Sequence, residues 1–307
     1  MNLFLKALGG EAIAGAFRRT VSGDVSGVPQ WALQMGEGDD VGFFGVDSDV
    51  WKVHGSLATL VGGVRALLMQ AAYPAALAGV SQHSSYDTDP LGRLERTTRW
   101  LTITSFASTE VIEREAQRVR AMHSRVNGSY QDNSGTRHQY SAEEERHLLW
   151  VHCAFTDSFI TAYRLLDRAP ERTAPHYVSE WARSAEPLGL RAAPKSDQEL
   201  ALVLEDFFEN QIGSIDLTSD VVRFIIHPPF SKLALPFYRT ICNAAISTLD
   251  PRVIKVLGIK KRSRRWINAA IPMLRALQLL LGEESPSQSI ARERIRRISS
   301  PHERNSE

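Results

Sequence analysis

Residues 57–80 read LATLVGGVRALLMQAAYPAALAGV, and this apolar run decides the fold of the chain. Its length suits a membrane span, but Arg65 lies within it, Pro74 interrupts it and glycines dilute it. An arginine at the centre of a bilayer costs roughly 2.5–3.5 kcal/mol on insertion scales. The run therefore predicts two buried helices of a helical core, broken near Pro74. Membrane association is the less favoured alternative.

The chain as a whole has the composition of a folded domain, with 307 residues, 43% of them hydrophobic, and 36 basic against 35 acidic side chains. A chain of this length buries a core without needing disulfides or metal. The net charge of +1 argues against a nucleic-acid binder, which usually carries a basic field. The cysteines Cys153 and Cys242 lie in apolar runs, as expected for small buried hydrophobes in a reducing compartment. Because the N-terminal segment also lacks the apolar core of an export signal, we expect a cytoplasmic protein.

Apolar residues recur along most of the chain with the 3.6-residue period of an α-helix, and alternation with period 2 is nearly absent. We therefore predict an all-α fold with one globular domain at 49–282. An N-terminal helix and an irregular segment occupy 1–48, and a charged tail occupies 283–307. The tail is expected to be a short solvated helix or disordered, and residues 127–140 to be a loop. The predicted helices are 2–18, 56–72, 74–82, 88–105, 109–126, 141–168, 176–184, 196–211, 217–226, 230–247 and 262–281.

The stretch that begins at Asp89-Pro90 places polar groups on one face of a helix. Asp89 is a candidate N-cap, and proline is favoured at the first helical position. Arg93, Arg96, Thr97 and Trp100 then follow at i, i+3, i+4 and i+7. Two arginines and a hydroxyl on one face can bind carboxylates or phosphates, or donate hydrogen bonds to an oxygen species. A solvated charged face is the simpler alternative.

Two histidines occupy positions of apolar helix stripes. Ile112, Ala116, Val119, His123 and Val126 are spaced four, three, four and three residues apart, so His123 takes a core position. A buried neutral imidazole needs a partner for each nitrogen, and an iron atom can serve as one. His152 holds the corresponding place in the next long helix. The alternative for both is a core histidine that is satisfied by ordinary hydrogen bonds.

The remaining polar residues match weaker patterns. Glu144-x-x-His147 is half of a ferritin-like di-iron site, but the chain has no second unit, and Glu144 also fits a capping box that begins at Ser141. His54 and His83 lie at the edges of the apolar run and could approach a pocket, but ordinary surface or loop histidines are the more common case.

Several blocks, in one order, carry a resemblance to a known family. They are Gly63-Val64-Arg65, Tyr73-Pro74-Ala75, Asp89-Pro90-x-x-Arg93-Leu94-x-Arg96-Thr97, Arg120-x-x-His123-x-x-Val126-x-Gly128 and Trp150-Val151-His152. This succession resembles the DUF2236 family, which includes latex clearing protein (rubber oxygenase) and the fungal MpaB oxygenases. The resemblance covers roughly residues 40–260.

The resemblance implies an all-α fold with a globin-like core and a b-type haem. It implies that His123 is the proximal haem ligand, that Arg93 and Thr97 lie near the haem, and that His152 packs in the core beside the site. The family's distal lysine is replaced by Arg96, which stays protonated and is a poor metal ligand. Residues 56–86 also lack the acidic side chain of the rubber oxygenases.

These observations together predict a haem b-dependent oxygenase that uses O₂ on a small, apolar and unsaturated substrate, such as an isoprenoid or a lipid. Arg93, Arg96 and Thr97 are the candidate catalytic residues, and His123 is the metal ligand. Two alternatives stay open: a non-catalytic helical protein that binds haem or lipid, and a non-haem metal oxygenase that uses His123 with His152 or His83. The basic cluster 260–265, KKRSRR, which precedes Trp266 and an apolar helix, also leaves open a peripheral contact with a membrane.

Overall fold

A computed structural model describes residues 28–83, 90–167, 174–230, 232 and 234–300, with the backbone alone over 90–95. The described chain is helical, with one two-stranded antiparallel hairpin, which confirms the all-α prediction. The helices are α1 Asp49–Gly55, α2 Thr59–Ala71, α3 Pro74–His83, α4 Pro90–Phe106, α5 Thr109–His123, α6 Glu145–Leu166, α7 Tyr177–Trp181, α8 Asp197–Asn210, α9 Thr218–Ile226, α10 Leu235–Ile246, α11 Pro251–Val256, α12 Arg265–Leu281 and α13 Pro286–Ser299. Short 3₁₀ segments cover Gln30–Gly36 and Ala182–Leu188.

The core is built around α2 and α6, which pack closely along their lengths. Gly62 allows this approach, because a Cβ there would lie 2.7 Å from Cδ1 of Phe159. The buried Arg65 guanidinium is paired across the interface, with Nη1 2.6 Å from Oδ2 of Asp157 and 2.9 Å from Oγ of Ser158. The arginine that interrupts the apolar run is therefore neutralised inside the protein.

The apolar run does form two helices that meet at Pro74, as predicted. α2 and α3 are bent by 101° at the break, and most of their residues are buried. Within the described residues, no single helix combines the length and hydropathy needed to cross a membrane. The bent pair α2–α3 reaches that length and hydropathy only when its two helices are taken together.

Residues 127–140 were predicted to be a loop, and this is wrong. They form the hairpin of β1 (Asn127–Gln131) and β2 (Arg137–Ser141), in which Asn127 pairs with Ser141. Asp132 stabilises the turn, because its Oδ1 accepts hydrogen bonds from the backbone N–H groups of Ser134 and Thr136. The hairpin carries few apolar residues, so it lacks the alternation by which strands are recognised.

The C-terminal segment also differs from the prediction of a solvated helix or disordered tail. α13 packs on the domain through Ala291 and Arg294, both of which are buried. The Arg294 guanidinium donates to the carbonyl oxygens of Met35 at 2.6 Å and of Phe106 at 2.9 Å. It therefore joins α13 to the first 3₁₀ segment and to the C-terminal end of α4.

Other differences concern element boundaries. α1 and α11 are short helices that the periodicity did not identify, while α5 ends at His123, three residues before its predicted end. α6 begins at Glu145, later than predicted. The Glu144 carboxylate accepts a hydrogen bond from the Ser141 backbone N–H, as a capping box requires. The Ser141 hydroxyl oxygen, however, accepts from the backbone N–H of Glu143 and not of Glu144, so the expected capping box is only half formed. The predicted helix 2–18 and the Asp89 cap lie outside the described residues.

Candidate active site

His123 ends α5 on the flank that carries the buried residues Ile112, Ala116 and Val119. Its side chain is half-buried, and burial lowers its pKa, although the nearby Glu143 carboxylate acts in the opposite direction. The imidazole is therefore neutral at pH 7. Within the described residues its ring makes no hydrogen bond. A neutral, unpartnered imidazole on an apolar helix flank is available as a ligand.

The polar face of α4 lies at the same end of the helix pair. α4 and α5 are joined by the two residues Ala107 and Ser108, so Arg93–Thr97 and His123 both lie at the ends remote from this connection. The α4 helix is continuous, which keeps Arg93, Arg96 and Thr97 on one face. Thr97 is half-buried and Arg96 is exposed, and the side chain of Arg93 lies outside the described residues.

A buried carboxylate fixes α4 against α5 midway along the two helices. Glu115 is 3% exposed and accepts from Nη2 of Arg99 at 2.9 Å and from Nη2 of Arg118 at 2.6 Å. The Nε atoms of both arginines also donate to the same carboxylate. The hydrogen bonds raise the pKa of Arg118. Glu115 thus determines how the polar face of α4 meets the flank of α5.

His152 lies on α6, and its Nε2 is shielded from water without a hydrogen-bond partner in the described structure. Burial lowers its pKa to about 4, so the ring is neutral. His152 shares a helix face with Leu148, which packs against the 3₁₀ segment Ala182–Leu188. The same segment accepts a hydrogen bond from Arg120 of α5, at the carbonyl of Pro187. The two helices that bear His123 and His152 therefore border one common segment.

An open cleft of about 430 Å³ lies on the other side of α5. Its lining residues are His83, Arg118, Ala121, Met122, Arg125 and Val126. His83 ends α3, is exposed as expected, and is hydrogen-bonded to the carbonyl oxygen of Asn127 at 2.9 Å. His123 is not among the lining residues, since it faces the apolar flank of the same helix.

His54 was expected at the surface or in a loop, and this is wrong. It lies in α1, where its ring packs against Trp181 with 4.3 Å between centroids. Nδ1 is 2.6 Å from Oγ of Ser105, and Nε2 is 2.8 Å from the Tyr177 hydroxyl. Because Ser105 donates its proton to the Leu101 carbonyl, it accepts from Nδ1–H of His54. Burial lowers the pKa of His54 to about 3, so this is a satisfied, neutral core histidine.

A second polar network was missed by sequence reasoning. The Tyr73 hydroxyl is 2.8 Å from Nδ1 of His147, and Nε2 of His147 lies 3.4 Å from the Glu144 carboxylate. Burial raises the pKa of Tyr73 to about 12 and lowers that of His147. The Glu144-x-x-His147 spacing indicated that these two side chains are close, but Tyr73, which contacts His147, is 74 positions away in the sequence. His147 is therefore hydrogen-bonded to Tyr73 and lies beside the Glu144 carboxylate, and no second Glu-x-x-His unit joins them.

The family described as "ER-bound oxygenase mpaB/B'/Rubber oxygenase, catalytic domain" matches residues 51–278. This is well over half of the 307-residue chain. The chain belongs to this family. No curated protein and no solved structure matches the chain in the corresponding comparisons.

Membership in the mpaB/rubber oxygenase family confirms the resemblance drawn from the ordered blocks, and the domain is an oxygenase catalytic domain. The matched range contains all five candidate residues, Arg93, Arg96, Thr97, His123 and His152. The domain boundaries at 49 and 282 remain predictions.

The residues present fit the haem that the family resemblance implies, as judged by donor chemistry. A single neutral imidazole can hold haem iron, and His123 offers a ring that is uncharged and without a hydrogen bond in the described structure. The unsatisfied Nε2 of His152 is a second polar atom that a bound group or water could satisfy. By contrast, no three His, Cys, Asp or Glu side chains in the described part of the chain form a metal-binding group. A non-haem iron site has no donor set there.

Proposed function

We propose that this chain is a haem b-dependent oxygenase that acts with O₂ on a small, apolar and unsaturated substrate of the isoprenoid or lipid class. The observation that carries the proposal is His123, a neutral imidazole without a hydrogen bond in the described structure, inside an oxygenase catalytic domain. A core histidine is normally satisfied, as His54 is in this protein. The ring nitrogens of His123, which have no hydrogen-bond partner in the described structure, therefore support a ligand role.

In this proposal each residue has a distinct task. His123 would supply an iron ligand through its neutral ring, which α5 holds on the flank of Ile112, Ala116 and Val119. Arg93 and Thr97 position the bound group by hydrogen bonds and charge. Arg96 provides a permanent positive charge and N–H donors where the family's lysine would stand. His152 packs beside the site. When bound, haem supplies the oxidation chemistry, and the protein sets its ligation, polarity and access.

Spectroscopy of the purified full chain tests the ligation. Protein expressed with haem supply should show a Soret band and a pyridine haemochrome of haem b. His123→Ala should lose both, whereas His227→Ala, which removes an exposed histidine without a described side-chain partner, should keep them. Free imidazole added to His123→Ala should restore the band by refilling the vacated ligand position. Circular dichroism verifies that both variants are folded.

Two results would overturn the ligation. One is colourless, iron-free protein after expression with haem supply, and the other is a His123→Ala variant whose spectrum equals that of the wild type.

Oxygen consumption tests the substrate class. Squalene and squalane form a matched pair, because they share a carbon skeleton and differ in their double bonds. We expect the haem-loaded protein to consume O₂ with squalene or another unsaturated lipid and not with the saturated analogue. Haem binding without consumption on any unsaturated lipid or isoprenoid would instead favour a non-catalytic haem-binding protein. Equal consumption with squalane would refute attack at a double bond.

A further inference from the structure

Residues 251–282 carry a one-sided charge that the oxygenase chemistry does not use. This segment contains eight lysines and arginines and no aspartate or glutamate. Five of the eight fall within 260–265, the loop that leads into α12. The rest of the chain is net negative, because the total over all 307 residues is only +1. The positive charge is therefore local to this loop and helix.

The charges of the loop are exposed and unpaired. Lys260, Lys261, Arg264 and Arg265 are all exposed, and none of them makes a salt bridge to the residues that the structure describes. Arg252, in the preceding helix, shows the contrast: its guanidinium is engaged by Glu205 at 2.6 Å and by Asp250. The loop therefore presents a net positive surface to solvent.

α12 extends this surface with an outward face on which apolar and polar side chains are mixed. Its inner face is buried through Ile267, Ala270, Ile271, Leu274 and Leu277. The outward positions Asn268, Pro272, Arg275 and Leu279 follow one another at i, i+4, i+7 and i+11, with Ala269 and Ala276 beside them. Leu279 is 69% exposed. These positions span about 17 Å along a helix that carries no carboxylate.

We infer that the loop 260–265 and the outward face of α12 form a docking surface for the headgroup region of an anionic lipid bilayer. Basic side chains at one end attract anionic headgroups, and the exposed alanines, proline and leucine enter the interface. Charge complementarity selects an acidic surface. The exposed alanines, Pro272 and Leu279 favour lipid over RNA, because RNA offers phosphates but no apolar layer for aliphatic side chains. The helix lies on the membrane in this arrangement and does not cross it.

The test uses the full chain and sedimentation with phosphatidylcholine vesicles prepared with and without phosphatidylserine. We expect binding to the phosphatidylserine vesicles alone, and release as salt is raised. Lys260→Gln/Lys261→Gln/Arg264→Gln should lower the partition coefficient about 100-fold, because each charge near the surface contributes about fivefold. Arg191→Gln/Lys195→Gln/Arg296→Gln removes the same charge from exposed positions elsewhere, and should change it by less than about threefold.

Leu279→Gln tests the apolar part separately, because it leaves the charge unchanged. This variant should bind phosphatidylserine vesicles more weakly than the wild type at every salt concentration. Three outcomes would overturn the proposal: no sedimentation with phosphatidylserine, equal losses in the two triple variants, or tighter binding to single-stranded RNA than to the vesicles. Unchanged circular dichroism ensures that a loss reflects the surface and not unfolding.

Discussion

Glu115→Gln should weaken the contact between α4 and α5, the two helices that carry the proposed site. The carboxylate is 3% exposed and is bound by two guanidinium groups, one on α4 and one on its own helix. Glutamine keeps the size of the side chain and one acceptor oxygen, but it removes the negative charge that both arginines share. The structural effect is therefore confined to the α4–α5 contact.

The expected loss of stability is about 2 kcal/mol. Removing one partner of a fully buried ion pair costs about 3–5 kcal/mol, because the other charge is left uncompensated. Here the side chains of Arg99 and Arg118 are 27% and 39% exposed, so water partly solvates them once the carboxylate is gone. The remaining amide oxygen also keeps one hydrogen bond. These two effects place the loss below the fully buried value.

Urea unfolding followed by far-ultraviolet circular dichroism measures this loss, with Glu110→Gln as the matched control. Glu110 lies on the same helix, is 79% exposed and is 3.8 Å from Arg114, so its loss should stay within about 0.5 kcal/mol. Both variants change the net charge equally. A haem titration of the two folded variants should show weaker binding for Glu115→Gln. Equal unfolding midpoints for the two variants would refute the role assigned to Glu115.

Three further predictions concern the core. Gly62→Ala should lower the free energy of unfolding by about 1–3 kcal/mol, because the new Cβ meets Phe159. Gly63→Ala, whose Cβ would have no other side chain or chain segment within 4 Å, should raise it by about 0.5–1 kcal/mol. Urea midpoints that rank the two variants in the opposite order would contradict this packing. The pKa of His54 is about 3 in the folded protein against 6.5 in the unfolded chain, so its contribution to stability is full above pH 6.5 and is lost as the pH falls toward 3. Between these pH values the unfolding free energy of the wild type should fall by up to about 1.4 kcal/mol per pH unit more steeply than that of His54→Gln, and parallel curves would contradict the buried neutral ring. Arg294→Met should cost about 2–4 kcal/mol in urea unfolding, since it leaves buried carbonyl oxygens without donors, and a loss below about 1 kcal/mol would show that water replaces the guanidinium.

Sequence periodicity predicted the long helices because each has one face that the core buries. α2, α5 and α6 follow this rule, and the break at Pro74 follows from proline's missing N–H. α1 and α11 are too short to show a period, and the hairpin 127–141 has too few apolar residues to show one. The helix around Arg294 was misjudged for a different reason: its charges indicate solvent, and only the three-dimensional fold shows one of them bound to backbone carbonyls.

The histidines show most clearly where prediction from sequence ends. A spacing pattern can place an imidazole on an apolar stripe, as it did for His123 and His152, but it does not identify what the nitrogens contact. His54 has both nitrogens occupied by Ser105 and Tyr177, residues that are 51 and 123 positions away in the sequence. His123 has an equally neutral ring with no such partner in the described structure. The distinction between a structural histidine and a candidate ligand therefore rests on tertiary hydrogen bonds, and it is this distinction that selects His123 for the first substitution.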